Sequence, residues 1–354
     1  MAMHPYEQFP SRQFWSRAVA HGFSAREVGS YPIPLIRGSD KVASAGSCFA
    51  ANMPPYLRRN GLHYLRTEYT HPIFSEIKPE KMSYAQYSAG YGNIYTARQL
   101  HQLLLRALGR FRPVEDRWIV AGGVADPFRP GLRYSARTQR EYDLLTARHM
   151  LATRQAFSTC DVFVFTLGLT EAWISREDGA VFPACPGTIA GEFDPRRHAF
   201  VNFTVDEVVR DLHDFVRELR TINSSVRIVL TVSPAPLVAT ASDRHVLAAS
   251  TYSKSVLRVA AEQVLRDFDH LHYFPAYEIV TGPQAPADFF APDRRQVSDK
   301  AIEAVMSAFL SACEAAPGEV VLDNASLQST TASLSTQIAE IECEEAAQDS
   351  SHFW

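Results

Sequence analysis

Gly46-Ser47-Cys48 sets two potential nucleophiles directly behind a glycine, at the end of the short apolar run Lys41-Val42-Ala43-Ser44-Ala45. A strand–Gly–nucleophile–helix turn exposes a side chain at a helix N-terminus. There the dipole lowers a thiol pKa and backbone N–H groups can bind an oxyanion. Small residues are also what any tight strand-to-helix turn needs, whether or not it does chemistry. Other polar groups stand just behind strand-like runs: Gly168-Leu169-Thr170-Glu171, then Ser233-Pro234, and Asp293 ahead of the last helix. In an open α/β sheet such groups share one rim, outside the carboxyl ends of the strands, where ligands bind. Lys254 and Arg258 lie one turn apart near a helix start, able to hold an anionic group or to form a solvated face. Trp173, Tyr91 and Tyr95 could stack a sugar ring or pack a core. No set of His, Cys, Asp and Glu has metal-ligand spacing, and neither a Gly-x-Gly-x-x-Gly nor a Walker loop occurs, so no cofactor is expected.

The elements that must position these groups are legible in the hydrophobic pattern. Asp161–Gly168 is apolar on both faces, as a central parallel strand would be, and Val226–Val232 and Leu271–Phe274 read as further strands. Helices are predicted from Cys48 to about Asn60, and over Thr96–Ala107, Arg137–Phe157, Val205–Ile222, Ser253–Phe268 and Ser298–Cys313. The third last of these carries Val208, Leu212, Phe215, Val216 and Leu219 on one stripe. Strands alternating with helices predict a doubly wound, mostly parallel α/β sheet. The stretch from Glu68 to Pro130 has few strand signals and is expected to hold insertions over the C-terminal edge of that sheet. Residues 1–38, rich in proline, aromatics and arginine, read as an arm on the body, and 39–313 as the α/β domain.

The 354 residues carry 35 Lys+Arg against 39 Asp+Glu, a net charge of −4 that does not suggest nucleic-acid binding. Eight acids and no Lys or Arg fall in Glu314–Trp354, so a body of charge +4 carries an acidic extension expected to be disordered, with a basic protein as its possible partner. Five scattered cysteines without C-x-x-C spacing argue against a disulfide framework or a zinc knuckle. With no signal-like N-terminus and no long apolar run, a cytoplasmic, soluble protein without a membrane partner is expected.

Gly46-Ser47-Cys48-Phe49-Ala50 resembles the motif of the GSCFA family, a branch related to the SGNH (GDSL-like) hydrolases. The resemblance continues in Tyr91-Gly92-Asn93-Ile94-Tyr95-Thr96, Thr166–Trp173, Thr231-Val232-Ser233-Pro234, Asp243–Val246, Tyr252-Ser253-Lys254-Ser255 and Tyr273–Ile279, so it covers roughly residues 40–312. It implies an SGNH-like three-layer α/β/α fold. It also implies that Cys48, or Ser47 if the register slips by one, is the nucleophile, and that Gly92 is an oxyanion donor. Gly168-Leu169-Thr170-Glu171 stands where a Gly-x-Asn-Asp block would, so Thr170 replaces the usual Asn donor and Asn93 could supply one instead. The departure is at the Asp-x-x-His block: Asp293-Arg294-Arg295-Gln296 has an amide where the base is expected, and an amide accepts no proton at neutral pH.

His245, on the loop after Ser233-Pro234, is the best substitute base, with Asp293 or Asp243 to orient it, and Glu171 is a second candidate. The resemblance thus implies an esterase or O-acyltransferase on a carbohydrate-like or small hydroxylated substrate. The alternative is a binding or scaffold protein that kept the fold and lost the base. In a third reading the acidic extension is itself the functional element.

Overall fold

Residues rich in Val, Ile, Leu and Phe pair into a five-stranded parallel sheet in the computed structural model, which describes residues 4–69, 87–132 and 134–314. In chain order the elements are α1 (Ala25–Val28), β1 (Lys41–Ala45), α2 (Cys48–Arg59), β2 (His63–Tyr64), α3 (Ala97–Ala107), β3 (Trp118–Val120), β4 (Gly123–Ala125), α4 (Gln139–Thr159) and β5 (Val162–Leu167). They continue with β6 (Glu171–Ser175), β7 (Val181–Phe182), β8 (His198–Asn202), α5 (Val205–Ile222), β9 (Arg227–Val232), α6 (Val246–Leu265), β10 (Leu271–Tyr273), α7 (Ala276–Thr281) and α8 (Asp299–Ser311).

The main sheet runs β10-β9-β5-β1-β2 with every pairing parallel. Side chains alternate between two cores, as the period of a strand requires. Ala43, Phe163, Phe165, Ile228 and Leu230 face one core, with Leu212, Phe215 and Leu257 of α5 and α6. Val42, Val162, Val164 and Val229 face the other, with Met53, Ile279 and Phe309 of α2, α7 and α8. Apolar residues on both faces need helices on both faces, and the expected doubly wound α/β arrangement results.

Three features differ from the sequence reading. A second, antiparallel sheet of order β7-β6-β8 follows β5, so Glu171 and Trp173 lie on a strand rather than on a loop. The expected insertion region contains a short hairpin, β3–β4, packed against α4. Finally, α6 starts at Val246 instead of Ser253, because His245 Nδ1 accepts from Leu247 N at 3.2 Å and caps the helix early. The segment before β1 anchors by Leu35 and Ile36, both buried, and Leu35 N donates to Ala312 O at 2.8 Å. The expectation for the acidic extension beyond Glu314 lies outside the described residues. No described helix is long and apolar enough to cross a membrane.

The α5 stripe is buried as predicted, and a capping box holds its start: Thr204 Oγ1 accepts from Glu207 N, and Glu207 Oε2 accepts from Thr204 N at 2.9 Å. Thr204→Ala is expected to cost about 1 kcal/mol. Urea denaturation would read this as a lower midpoint with an unchanged slope, and an unmoved midpoint would refute it.

Candidate functional site

Counting only the strands of the main sheet, their order is 2-1-3-4-5, and the direction of winding reverses between β1 and β5. At such a switch point the loops leaving adjacent strands go to opposite faces and open a crevice at the carboxyl ends. Gly46-Ser47 leaves β1 and Gly168-Leu169 leaves β5, so both turns border that crevice.

Gly46 has φ +141, a conformation in which only glycine is at ease. A Cβ there would sit 2.6 Å from Thr166 Cβ and 2.9 Å from Thr166 O, so the turn presses directly on the central strand. Ser47 follows, 5% exposed, and its side chain does not cap α2. Among the described residues its hydroxyl makes no hydrogen bond. Cys48 opens α2 with its backbone, and its side chain lies outside the described residues.

A third turn closes over the other two. Ile94 N donates to Gly46 O at 2.9 Å, and Gly168 N and Leu169 N both donate to Tyr95 O at 3.0 Å. Residues 92–96 therefore bridge the crevice with their backbone and bring Gly92 and Asn93 beside Gly46-Ser47. Gly92 has φ +67. Asn93 is buried; its Oδ1 accepts from Tyr87 Oη at 2.6 Å and its backbone O accepts from Gln99 Nε2 at 2.9 Å. The tyrosine thus fixes the carboxamide with its nitrogen as the donor end. Tyr91 Oη donates to Ser44 O, which ties the loop to β1.

Beneath this loop lies a charged cluster that the sequence reading missed. Glu68 Oε2 accepts from Gly90 N at 2.7 Å and from His149 Nδ1 at 2.6 Å. Arg129 sits 4.0 Å from Glu68 and donates through Nε to Asp126 Oδ2 at 2.8 Å. All four side chains are buried. Burial alone would raise the Glu68 carboxyl, but His149, Arg129 and the Gly90 N–H outweigh it and hold it at about 2. Burial, joined by the Arg129 charge, pushes the His149 imidazole below its ordinary value against the opposing pull of Glu68, and Nδ1–H donates to the carboxylate. Nothing in the local sequence marks these residues as neighbours, since 81 positions separate Glu68 from His149.

The remaining candidates divide. Lys254 is 4% exposed, and its Nζ donates to Gly168 O at 2.8 Å, so it belongs to the crevice rather than to a solvated face. Thr170 is next to the crevice, but its hydroxyl donates to Asn202 Oδ1 at 2.7 Å and its N–H to Ser253 Oγ at 3.0 Å. Arg258 is held by Glu278 at 2.8 Å and Glu262 at 2.9 Å, with its guanidinium over Tyr273, in a structural cluster beside β10. His245 is exposed and occupied in capping α6. Asp293, also exposed, accepts from Arg295 N and Gln296 N at 3.0 Å and closes its own turn. Among the described residues no hydrogen bond joins His245, Asp293 or Asp243 to Ser47.

Glu171 does not form an ion pair with Arg244 or Arg258. Its Oε1 accepts from Thr240 Oγ1 at 2.7 Å, while burial pushes the carboxyl up against that bond. It opens onto a cleft of about 270 Å³ lined by Leu169, Glu171, Trp173, Phe200, Leu237 and Thr240. Trp173 stands edge-on to Phe193 at 5.2 Å and tilted against Phe200 at 5.8 Å, so the indole is held from both sides. Among the described residues no group of three or more His, Cys, Asp or Glu is disposed to hold a metal ion.

Residues 41–309 match the model of the GSCFA family. No curated protein matches the chain.

Proposed function

Because the chain belongs to the GSCFA family, with its Gly46-Ser47-Cys48 turn at the switch point of the sheet, we propose that it is an acyl-transfer enzyme of SGNH-hydrolase type. It would act as an esterase or O-acyltransferase on a carbohydrate-like or small hydroxylated substrate. The observation that carries this reading is the meeting of three turns at one crevice: Ser47, whose hydroxyl makes no hydrogen bond among the described residues, Asn93 with its amide oxygen held by Tyr87, and Gly168. Ser47 or Cys48 attacks the acyl carbonyl. The N–H groups opening α2 and the Asn93 amide nitrogen, with Gly92 beside them, receive the oxyanion. Thr170 is left out of this set, because its hydroxyl proton is already given to Asn202. The hydroxylated ring occupies the neighbouring cleft against Trp173 and Phe200, with Glu171 accepting from its hydroxyls.

A chromogenic acetyl-ester assay on wild type, Ser47→Ala and Cys48→Ala tests the reading. Loss of the true nucleophile is expected to lower turnover by several orders of magnitude, while the other variant keeps most of it. Equal turnover in all three overturns the assignment.

A second reading, a binding or scaffold protein, is favoured by Gln296 at the expected base position and by the engagement of His245 and Asp293 in their own local structure. It predicts no ester turnover together with sugar or peptide binding that Trp173→Ala abolishes.

A further inference from the structure

The crevice has a reactive turn and oxyanion donors, but the groups expected to move its proton are occupied elsewhere. His245 caps a helix, Asp293 closes a turn, Glu171 faces Thr240 and the cleft, and His149 is paired with Glu68 beneath the loop. Among the described residues, a basic side chain is fixed at the crevice itself. Lys254 Nζ lies 2.8 Å from Gly168 O, at the carboxyl end of β5. Gly168 stands two residues beyond Thr166, the residue against which Gly46 is pressed, a span of about 7 Å along an extended strand. The preceding residue, Ser253, accepts from Thr170 N at 3.0 Å, so two consecutive side chains lock α6 onto this strand end. The amine is thereby buried and fixed at the carboxyl end of β5, the strand against which the Gly46 turn is pressed.

We propose that Lys254 is the general base and acid of this site, taking the role that Gln296 cannot fill. The inference rests on the acyl-transfer reading above. In the first step the neutral amine takes the proton of the Ser47 hydroxyl or the Cys48 thiol as that atom bonds to the acyl carbon. The carbonyl π pair moves onto oxygen. Collapse of this adduct breaks the bond to the alcohol, which leaves with the proton of the Lys254 ammonium. Water or an acceptor hydroxyl then attacks the acyl-enzyme and gives its proton to Lys254, and that proton returns to the nucleophile as the acyl–enzyme bond breaks. A lysine serves here because its amine can exist without charge when buried, whereas a guanidinium stays protonated.

The contrast between lysine and arginine supplies the test. Lys254→Arg keeps a donor for Gly168 O but cannot accept a proton. Turnover of a chromogenic acetyl ester is expected to fall about 10²–10⁴-fold, while thermal denaturation shows the variant folded. Lys254→Ala is expected to be similarly slow and to regain turnover with added methylamine or ethylamine, in proportion to the free-base form of the amine. Should Lys254→Arg fail to fold, the alanine variant decides. Lys254→Arg turnover close to wild type, or rescue that follows the alkylammonium cation instead of the free base, assigns Lys254 a structural role and overturns the inference. If the wild type itself turns over no acyl ester, the acyl-transfer reading falls and this inference with it. An active wild type with an equally active arginine variant removes only the role of Lys254.

Discussion

Gly46→Ala is expected to destabilise the protein by at least about 2–4 kcal/mol, through strained backbone and overpacking together. The residue holds φ +141, where an L side chain is strained whatever the space around it. The added methyl would also lie 2.6 Å from Thr166 Cβ and 2.9 Å from Thr166 O. Neither atom is the far end of a flexible side chain. Thr166 belongs to β5, which is buried along its whole length and paired on both sides, so relief would require moving the centre of the sheet. Gly92→Ala supplies the comparison. Its φ is +67, but nothing lies within 4 Å of the added atom, so only the left-handed backbone penalty of about 1–2 kcal/mol applies. Urea denaturation of the two variants would show a clearly larger drop in midpoint for Gly46→Ala. Equal drops would mean that the turn is not pressed on β5 as described.

Removing the Glu68 carboxylate is expected to cost still more, about 3–5 kcal/mol for Glu68→Ala, because it takes one of two carboxylates from the buried cluster around Arg129 and orphans the Gly90 N–H. The same cluster sets a pH dependence whose sign follows from the directions of the shifts. Glu68 titrates at about 2 in the folded protein, below its ordinary value of 4.5. Its contribution is therefore complete above the unfolded value and is lost as pH falls through 4.5 toward 2. His149 also lies below its ordinary 6.5 when folded, so below that pH the unfolded chain binds a proton that the folded chain refuses, and stability falls again. Denaturation midpoints between pH 7 and pH 4 should thus decline on the acid side. His149→Gln is expected to flatten the upper part of that decline and Glu68→Gln the lower part. A wild-type midpoint constant from pH 7 to pH 4 would contradict the lowered values of these two groups.

The cluster also explains why the donor loop was only half legible. Tyr91-Gly92-Asn93 could be singled out from the sequence, and Gly92 has the positive φ that a glycine permits. What holds that loop against Gly46 is Tyr87 on Asn93, Gln99 on the Asn93 carbonyl, and Glu68 on Gly90. In the sequence Tyr87 reads as an ordinary aromatic residue and Glu68 as a surface acid, since a carboxylate reads as exposed until the chain path supplies its partners. Lys254 and Arg258 could be paired from their spacing, as holders of an anionic group or as a solvated face, but not separated: one is buried on Gly168 O and the other is bound in an ion-pair cluster.

The amino-acid sequence by itself determined the two-sided apolar strands at 162–167 and 227–232, the α5 stripe and the glycine at the β1 turn, and with them an α/β sheet covered on both faces. Those signals are local, carried by residues two to four positions apart whose spacing matches the period of the element. Tertiary structure alone decided the strand order that opens the crevice beside Gly46. It also decided the bridging of that crevice by residues 94 and 95, the turning of the Thr170 hydroxyl to Asn202 and the burial of Lys254 on Gly168 O. Partners drawn from 32 to 86 positions apart meet only once the sheet has formed, because their pairing depends on the path of the whole chain and leaves no periodic trace in the residues between them.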